Sequence, residues 1–124
     1  HWNAAEFIRR DACDIMRTST HYKGGFTGGM RVGHVAEAFG MKAEVHGGGH
    51  NNLHLCLALP NNTYYEDLVI DVEDIEGKEK GELKFKNGMY SFREQAAGVG
   101  IEYDQSELEK ISIQKYEKYS NGKK

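Results

Sequence analysis

The 124-residue sequence predicts an α/β fold in which crossover helices join parallel strands. Three observations support this prediction: helical and strand-like patterns alternate over residues 3–70, their connections are short, and 39% of the residues are hydrophobic against 28% charged. Three such units cannot close a barrel, which needs eight strands, and an open sheet of this size has two bare edges. Because the chain also begins at His1 within a helical pattern, we expect it to be a fragment of a longer protein.

The first two elements are a helix and a strand. Residues 3–10 place Ala4, Phe7 and Ile8 on one helical face. Residues 12–20 contain Ile15 and a run of hydroxyl side chains that favours extended structure.

A glycine turn leads into the second helix and strand. The turn is predicted at residues 23–28, with Thr27 as a cap for the helix that follows. Residues 30–39 have apolar side chains at a helical period, and Gly40 is typical of a helix end. Residues 41–46 then form a short strand.

The third pair is an apolar helix and a strand. Residues 52–59 predict a helix that Pro60 stops, and residues 64–70 predict a strand.

The remainder of the chain has a different character. Residues 82–92 alternate apolar and polar side chains about Asn87-Gly88, which is the strongest short signal for a β-hairpin. Residues 97–104 predict a glycine-rich turn into an extended segment, and residues 105–119 a polar helix. We therefore divide the chain into residues 1–72 and residues 73–124.

Composition excludes several classes of function. The net charge is -3 with scattered basic residues, so we expect no nucleic-acid interface. No apolar stretch approaches the roughly 20 residues of a membrane span, and the first residues do not form a signal sequence. We expect a cytoplasmic protein in which Cys13 and Cys56 are reduced and buried.

Three histidines recur at a spacing of four residues, as in a zinc-binding helix: His46, His50 and His54. The glycine run between the first two opposes a shared helix, because each interior glycine costs roughly 1 kcal/mol. We therefore assign His46 to a strand end, His50 to a loop, and His54 to the core of a helix with one nitrogen satisfied.

Catalytic groups of parallel α/β barrels lie where the strands end. These positions hold Ser19 (with Thr20 beside it), His46 and Glu66. Histidine titrates near neutrality and a carboxylate can hydrogen-bond a developing anion or donate a proton, so the three residues suggest acid/base chemistry.

Several motifs together resemble one family. Lys23-Gly-Gly-Phe-Thr-Gly28, Ala36-Glu-Ala-Phe-Gly40, the strand-end His46 and Glu66, and Gly98-Val-Gly-Ile-Glu-Tyr-Asp104 resemble the mandelate racemase and muconate lactonizing enzyme-like branch of the enolase superfamily. The likeness extends over nearly the whole chain and fades after Asp104.

That resemblance implies a fold and a chemistry. Residues 1–72 would be the last three strand-helix units of a modified TIM barrel, and residues 73–124 would return to an α+β capping domain. Such enzymes bind magnesium and abstract the proton α to a carboxylate. His46 matches the acid/base of the seventh strand, and Glu66 matches the glutamate of the eighth strand that hydrogen-bonds the carboxylate or enediolate.

The sequence departs from the family at Ser19, where the resemblance expects an aspartate that orients His46. A serine hydroxyl can orient an imidazole but carries no charge. Three readings follow: His46 acts mainly as a general acid with the base on another strand, a different carboxylate supplies the charge, or the activity has drifted from proton transfer.

The remaining expectations concern ligands and activity. His21, Tyr22 and His50 are predicted to face the substrate, a small hydroxy acid or sugar acid. The magnesium ligands are expected upstream, and no residue of this chain is assigned to the metal. We expect an acid-sugar dehydratase, homo-oligomeric at full length and inert as this fragment. The alternatives are a racemase, epimerase or cycloisomerase, or a non-catalytic barrel fragment.

Overall fold

The structure is a computed structural model that describes residues 2–67, 79–80, 83–92 and 97–111. The elements within these ranges are α1 (Trp2–Arg9), β1 (Met16–Thr18), α2 (Gly25–Ala38), β2 (Ala43–Val45), α3 (His50–Ala58), β3 (Glu79–Lys80), β4 (Lys84–Lys86), β5 (Met89–Ser91), β6 (Glu102–Tyr103) and α4 (Gln105–Ile111).

The first part of the chain is built around two parallel strands. β1 pairs with β2 in a register that runs from Met16 opposite Ala43 to Thr18 opposite Val45. A parallel pair requires a crossover connection, and α2 provides it. The predicted α/β class is therefore confirmed for this region.

The helices cover one face of this strand pair. Val45 packs with Leu55, Cys56 and Leu59 in one buried cluster. A second cluster joins α1, α2 and β2 through Ile8, Ala36 and Ala43. These clusters fix the two strands against the helices and leave the opposite face to polar side chains.

α2 and α3 approach each other closely at two glycines. A Cβ atom on Gly29 would lie 2.7 Å from Leu55 Cδ2, and one on Gly33 would lie 2.2 Å from Leu59 Cδ2. Both distances are below van der Waals contact, so Leu55 of α3 and Leu59 at the C-cap of α3 occupy space that only glycine leaves open.

The beginning of α2 differs from the prediction. The helix starts at Gly25 and its N-cap is Gly24, whose φ is 82°, so Thr27 lies within the first turn and is not the cap. The Gly25 N–H donates to Thr20 O (3.0 Å), so Gly24 and Gly25 form the beginning of the helix.

The predicted third strand is not formed where the structure describes it. Residues 64–67 have no strand assignment, and residues 68–70 lie outside the described ranges. The preceding asparagines explain the difference: Val45 N–H donates to Asn62 Oδ1 (3.0 Å) and Ala43 N–H to Asn61 O (3.1 Å). A side-chain oxygen thus takes the place of a backbone carbonyl, and a regular ladder does not begin.

The hairpin prediction is confirmed. β4 and β5 are antiparallel, with Lys86 opposite Met89, and the turn between them has φ 54° at Asn87 and 77° at Gly88. Positive φ at both central residues is the requirement of a type I′ turn.

Other elements complete the second part. β3 pairs antiparallel with β6, and α4 begins the predicted polar helix. The predicted boundary after residue 72 and the helix beyond residue 111 lie outside the described residues.

The hairpin and the segment after it contact the first part through aromatic rings. Tyr90 packs on Tyr65 with ring centroids 4.7 Å apart, and its hydroxyl donates to Asp67. The Phe92 ring stacks on His54 at 3.8 Å. These contacts lie next to Glu66 and to α3.

Both cysteines are free thiols, and burial raises the pKa of Cys56 to about 11. Cys13 is only partly buried, which corrects the expectation that both thiols are buried. Among the described residues, no helix combines the length and the apolar character needed to cross a bilayer.

Candidate active site at the ends of β1 and β2

The two faces of the strand pair separate structural from chemical side chains. Successive residues of a strand point to opposite faces. Thr18 faces α2, where its hydroxyl donates to Gly29 O (3.1 Å), so Arg17 faces the other side opposite Glu44. The His46 N–H donates to Thr18 O (2.8 Å), which extends the pairing and brings His46 beside the end of β1.

Three charged or titratable side chains meet on this polar face. His46 Nδ1 lies 2.6 Å from Glu66 Oε2. Arg17 Nη2 donates to both Glu66 oxygens at 2.9 and 3.1 Å, and the Gly47 N–H donates to Oε2 at 2.7 Å. We call Arg17, His46 and Glu66 the strand-end triad.

Glu66 is held as an anion. Its pKa is lowered from 4.5 to about 2, mainly by the hydrogen bond from the Gly47 N–H, while partial burial opposes this shift and the bonds from His46 and Arg17 add to it. The Glu66 side chain is 25% exposed, whereas those of His46 and Arg17 are 43% and 49% exposed. The carboxylate therefore lies beneath its two partners.

The contacts of His46 Nδ1 determine where its proton lies. Arg17 Nη2 is 2.5 Å from the same nitrogen, but one nitrogen cannot donate to Glu66 and accept from Arg17 at once. Because Glu66 is ionised, the consistent arrangement has Nδ1–H donating to Glu66 and Arg17 directing its hydrogens to the carboxylate. Nε2 is then the nitrogen that remains for a substrate.

Ser19 does not make the predicted bond to His46. It is buried at the end of β1, and its Oγ accepts the His21 N–H at 3.1 Å. The Nδ1 atom of His46 instead meets Glu66 and Arg17. The imidazole thus has a carboxylate partner from the chain beyond α3.

The predicted substrate-facing residues fall into two groups. His21 and Tyr22 are exposed in the loop after β1. Tyr22 and Arg17 both line a cavity of about 590 Å³ beside β1. His50 differs from the prediction, because it is the first residue of α3 and is buried, with Phe92 next to its ring at 6.4 Å. Packing of α3 against the segment after the hairpin removes His50 from the loop.

His54 has one satisfied nitrogen, as predicted. Its Nε2 donates to Val99 O at 3.1 Å, and its ring packs against Phe92 and Phe26. Its ring neighbours come from other segments of the chain. This histidine therefore links α3 to the second part of the chain.

Sequence reasoning missed Arg17, and it took Asn52 for a polar loop residue that suits a hydroxylated substrate, whereas Asn52 lies in α3. The alternation of a strand could have found Arg17, because it shares a face with Ser19 two residues later. Asn52 is an amide in an apolar helix; it is fully buried and bonded to Thr20, His46 and Gly47. Sequence periodicity does not identify Asn52, because its partners lie in two loops that come together only in the folded chain.

The carboxylates of this region are poor candidates for magnesium. Both oxygens of Glu66 accept hydrogen bonds, and the buried Glu44 accepts the N–H and the hydroxyl of Thr63. The described residues contain no group of three histidine, cysteine, aspartate or glutamate side chains that could hold a metal ion. The residues described therefore do not fit a magnesium site by themselves.

Comparisons with known proteins place this geometry in context. Residues 1–107 match the family described as enolase C-terminal domain-like. The fold is similar to the crystal structure of D-glucarate dehydratase from Agrobacterium tumefaciens complexed with magnesium, with a TM-score of 0.71 and 30% sequence identity. The match covers 89% of this chain and 30% of that one, so the chain spans less than a third of that structure's length. A search of curated proteins gave no match.

Proposed function

This chain belongs to the enolase C-terminal domain-like family, and from this membership we propose that it is the C-terminal part of a magnesium-dependent acid-sugar dehydratase. The similarity to a glucarate dehydratase favours dehydration, although it covers only part of that enzyme. The observation on which the proposal rests is the His46–Glu66 pair at 2.6 Å. Residues 1–72 would complete a modified TIM barrel, and residues 73–124 would reach its capping domain.

Dehydration requires one proton to leave carbon and one hydroxyl to leave as water. A base removes the proton α to the carboxylate, the bond to the β-hydroxyl breaks, and a general acid protonates the leaving oxygen. The enol that remains becomes a 2-keto-3-deoxy acid. Magnesium, held by residues upstream, would supply the positive charge that stabilises the enediolate.

His46 is the general acid in this proposal. When its imidazole is charged, Nδ1–H is held by Glu66, and Nε2–H would be the donor to the leaving hydroxyl. The Glu66 anion stabilises the imidazolium, as an aspartate does in a histidine–aspartate pair. This combines two of the readings left open by Ser19: His46 is an acid, and a different carboxylate supplies the charge.

The role of Glu66 changes accordingly. The resemblance assigns Glu66 to the substrate carboxylate or enediolate, but three groups of this chain already donate to its oxygens. We propose that Glu66 acts on the substrate through His46. Arg17 keeps the carboxylate ionised and in place, and Ser19 fixes the loop that carries His21 and Tyr22.

The proposal is tested on the full-length enzyme with magnesium and a panel of aldonic and aldaric acids. Formation of 2-keto-3-deoxy acid is measured for the wild type and for His46→Asn. Loss of a general acid removes about 10²–10⁴-fold in rate, and magnesium binding should be unchanged.

His34→Asn is the matched control, because His34 is exposed on α2 and should leave turnover unchanged. Unchanged turnover in His46→Asn would contradict the role of His46. Exchange of the α proton with solvent deuterium, without loss of water, would instead support a racemase or epimerase.

A further inference from the structure

Asn52 is the polar side chain most completely enclosed among the buried residues of the described chain, with 0% exposure. Its Oδ1 accepts hydrogen bonds from the N–H and the hydroxyl of Thr20, both at 2.9 Å. Its Nδ2 donates to His46 O at 2.9 Å and to Gly47 O at 3.1 Å. An amide offers two donors and two acceptor positions, so its capacity is fully used.

These four bonds fix the orientation of the amide. A rotation by half a turn would direct Nδ2 at the Thr20 N–H and Oδ1 at two carbonyl oxygens. Each buried group left unsatisfied destabilises the fold, so the observed orientation is the only one in which all partners are paired.

The bonds of Asn52 meet the strand-end triad through backbone atoms. The Gly47 carbonyl is held by Asn52 while the Gly47 N–H donates to Glu66 Oε2 at 2.7 Å. The His46 carbonyl is held by Asn52 while the His46 N–H donates to Thr18 O. The peptide units on both sides of Gly47 are therefore fixed by one side chain.

We propose that Asn52 is a positioning residue that sets His46 and the Gly47 N–H against Glu66 and joins them to the end of β1 at Thr20. The catalytic role of His46 rests on the proposed function, but the hydrogen-bond geometry of Asn52 does not. The test requires no activity measurement, so its failure is distinct from failure of the dehydratase assay.

The experiment separates the two halves of the amide. Asn52→Asp keeps the acceptor that Thr20 uses and replaces the donors to His46 and Gly47 with a carboxylate oxygen. Thr20→Val, the matched variant, removes only the hydroxyl bond on the opposite side. NMR measures hydrogen exchange of the Gly47 amide at neutral pH and the Glu66 carboxyl resonance as the pH is lowered, with Arg17 and His46 as the other charged groups facing that carboxyl.

Asn52→Asp should accelerate exchange of the Gly47 amide by about tenfold or more, because the loop loses both of its anchoring bonds. The pKa of Glu66 should rise from about 2 toward its ordinary value of 4.5, since its main stabilising bond comes from Gly47. Thr20→Val should leave both quantities close to wild type. Equal changes in the two variants would mean that Asn52 only stabilises the fold, and would overturn the proposal.

A measurement on the wild type covers the case in which Asn52→Asp does not fold. The side-chain amide protons of Asn52 and the Gly47 N–H should exchange through the same opening, with equal protection. Much faster exchange at Gly47 would show that the loop opens while Asn52 stays bonded, and this too would overturn the proposal.

Discussion

The two faces of the β1–β2 pair have the same backbone and opposite surroundings. The face toward the helices is buried and mostly apolar, and it presents Met16, Thr18, Ala43 and Val45. The other face is polar and presents Arg17 and Glu44, with His46 beyond the strand end. Each polar group there has a partner: Glu44 is bonded to Thr63, and Arg17 and His46 to Glu66.

This difference separates stability from chemistry. Removal of volume on the helix side leaves a cavity that the fold cannot fill. Removal of Arg17 or Glu66 on the polar side alters hydrogen bonds that are partly open to water and costs less. The two faces should therefore respond to mutation with effects of different size and different pH dependence.

The largest effect is expected on the helix side. Leu55 is fully buried, so Leu55→Ala should lower the free energy of unfolding by about 2–5 kcal/mol. Urea unfolding followed by circular dichroism measures the change. Leu57→Ala is the control, because Leu57 is 71% exposed on the same helix and should change stability by less than about 0.5 kcal/mol. Similar losses in both variants would mean that α3 does not pack as described.

A smaller effect with a pH signature is expected at Glu66. Its folded pKa is lowered to about 2, so the ionised carboxylate stabilises the fold above its unfolded pKa, and this contribution disappears as the pH falls toward 2. Glu66→Gln should lower stability by about 1–2 kcal/mol at pH 7, and the difference from wild type should vanish at about pH 2.

Urea unfolding at several pH values measures this difference. Glu37→Gln, on the exposed side of α2, is the control and should follow the wild type throughout. A difference at Glu66 that does not depend on pH would contradict the anionic role assigned to it.

The coupling between Arg17 and Glu66 should be smaller again. Arg17 is half exposed, so a double-mutant cycle with Arg17→Gln and Glu66→Gln should give about 0.5–1 kcal/mol, decreasing at high salt. The cycle uses the unfolding free energies of the four chains. A coupling free energy of zero at low salt would mean that Arg17 does not interact with Glu66 and is not part of the strand-end triad.

The smallest effect is expected where the hairpin meets the first part of the chain. The hydrogen bond that Tyr90 donates to Asp67 is the main cause that raises the pKa of Tyr90, with burial and the charge of Asp67 adding to it. In an alkaline titration followed by ultraviolet absorbance, Asp67→Asn should allow this tyrosine to ionise at lower pH. Tyr90→Phe should remove the same ionisation step. If Asp67→Asn left the titration of Tyr90 unchanged, this would contradict the hydrogen bond between Tyr90 and Asp67.

Local patterns predicted most of the fold. The helical period of residues 30–39, the Pro60 stop and the Asn87-Gly88 turn each act through neighbouring residues, and the corresponding elements occur at or near the predicted positions. The strand over residues 64–70 was not formed in its described part, because Asn62 uses its side chain on β2. That bond joins residues far apart in sequence, which local patterns do not register.

The candidate site was predictable only in part. The rule that catalytic groups lie where strands end selected His46 and Glu66 as candidates. The structure places His46 Nδ1 2.6 Å from Glu66 Oε2. The same rule selected Ser19, whose Oγ accepts a hydrogen bond from the His21 N–H. Arg17 was not considered, since an arginine in a short strand resembles any solvated charge until its partner is known.

Gly29 and Gly33 of α2 influence the position of His46 through the packing of α3. Gly29 and Gly33 let Leu55 and Leu59 approach, and the same α3 holds Asn52 against the loop of His46. A methyl group added at Gly33 must displace Leu59 or move α3, and a movement of α3 reaches the histidine through the amide. The placement of His46 therefore depends on the volume of a residue on a different helix, at Gly33.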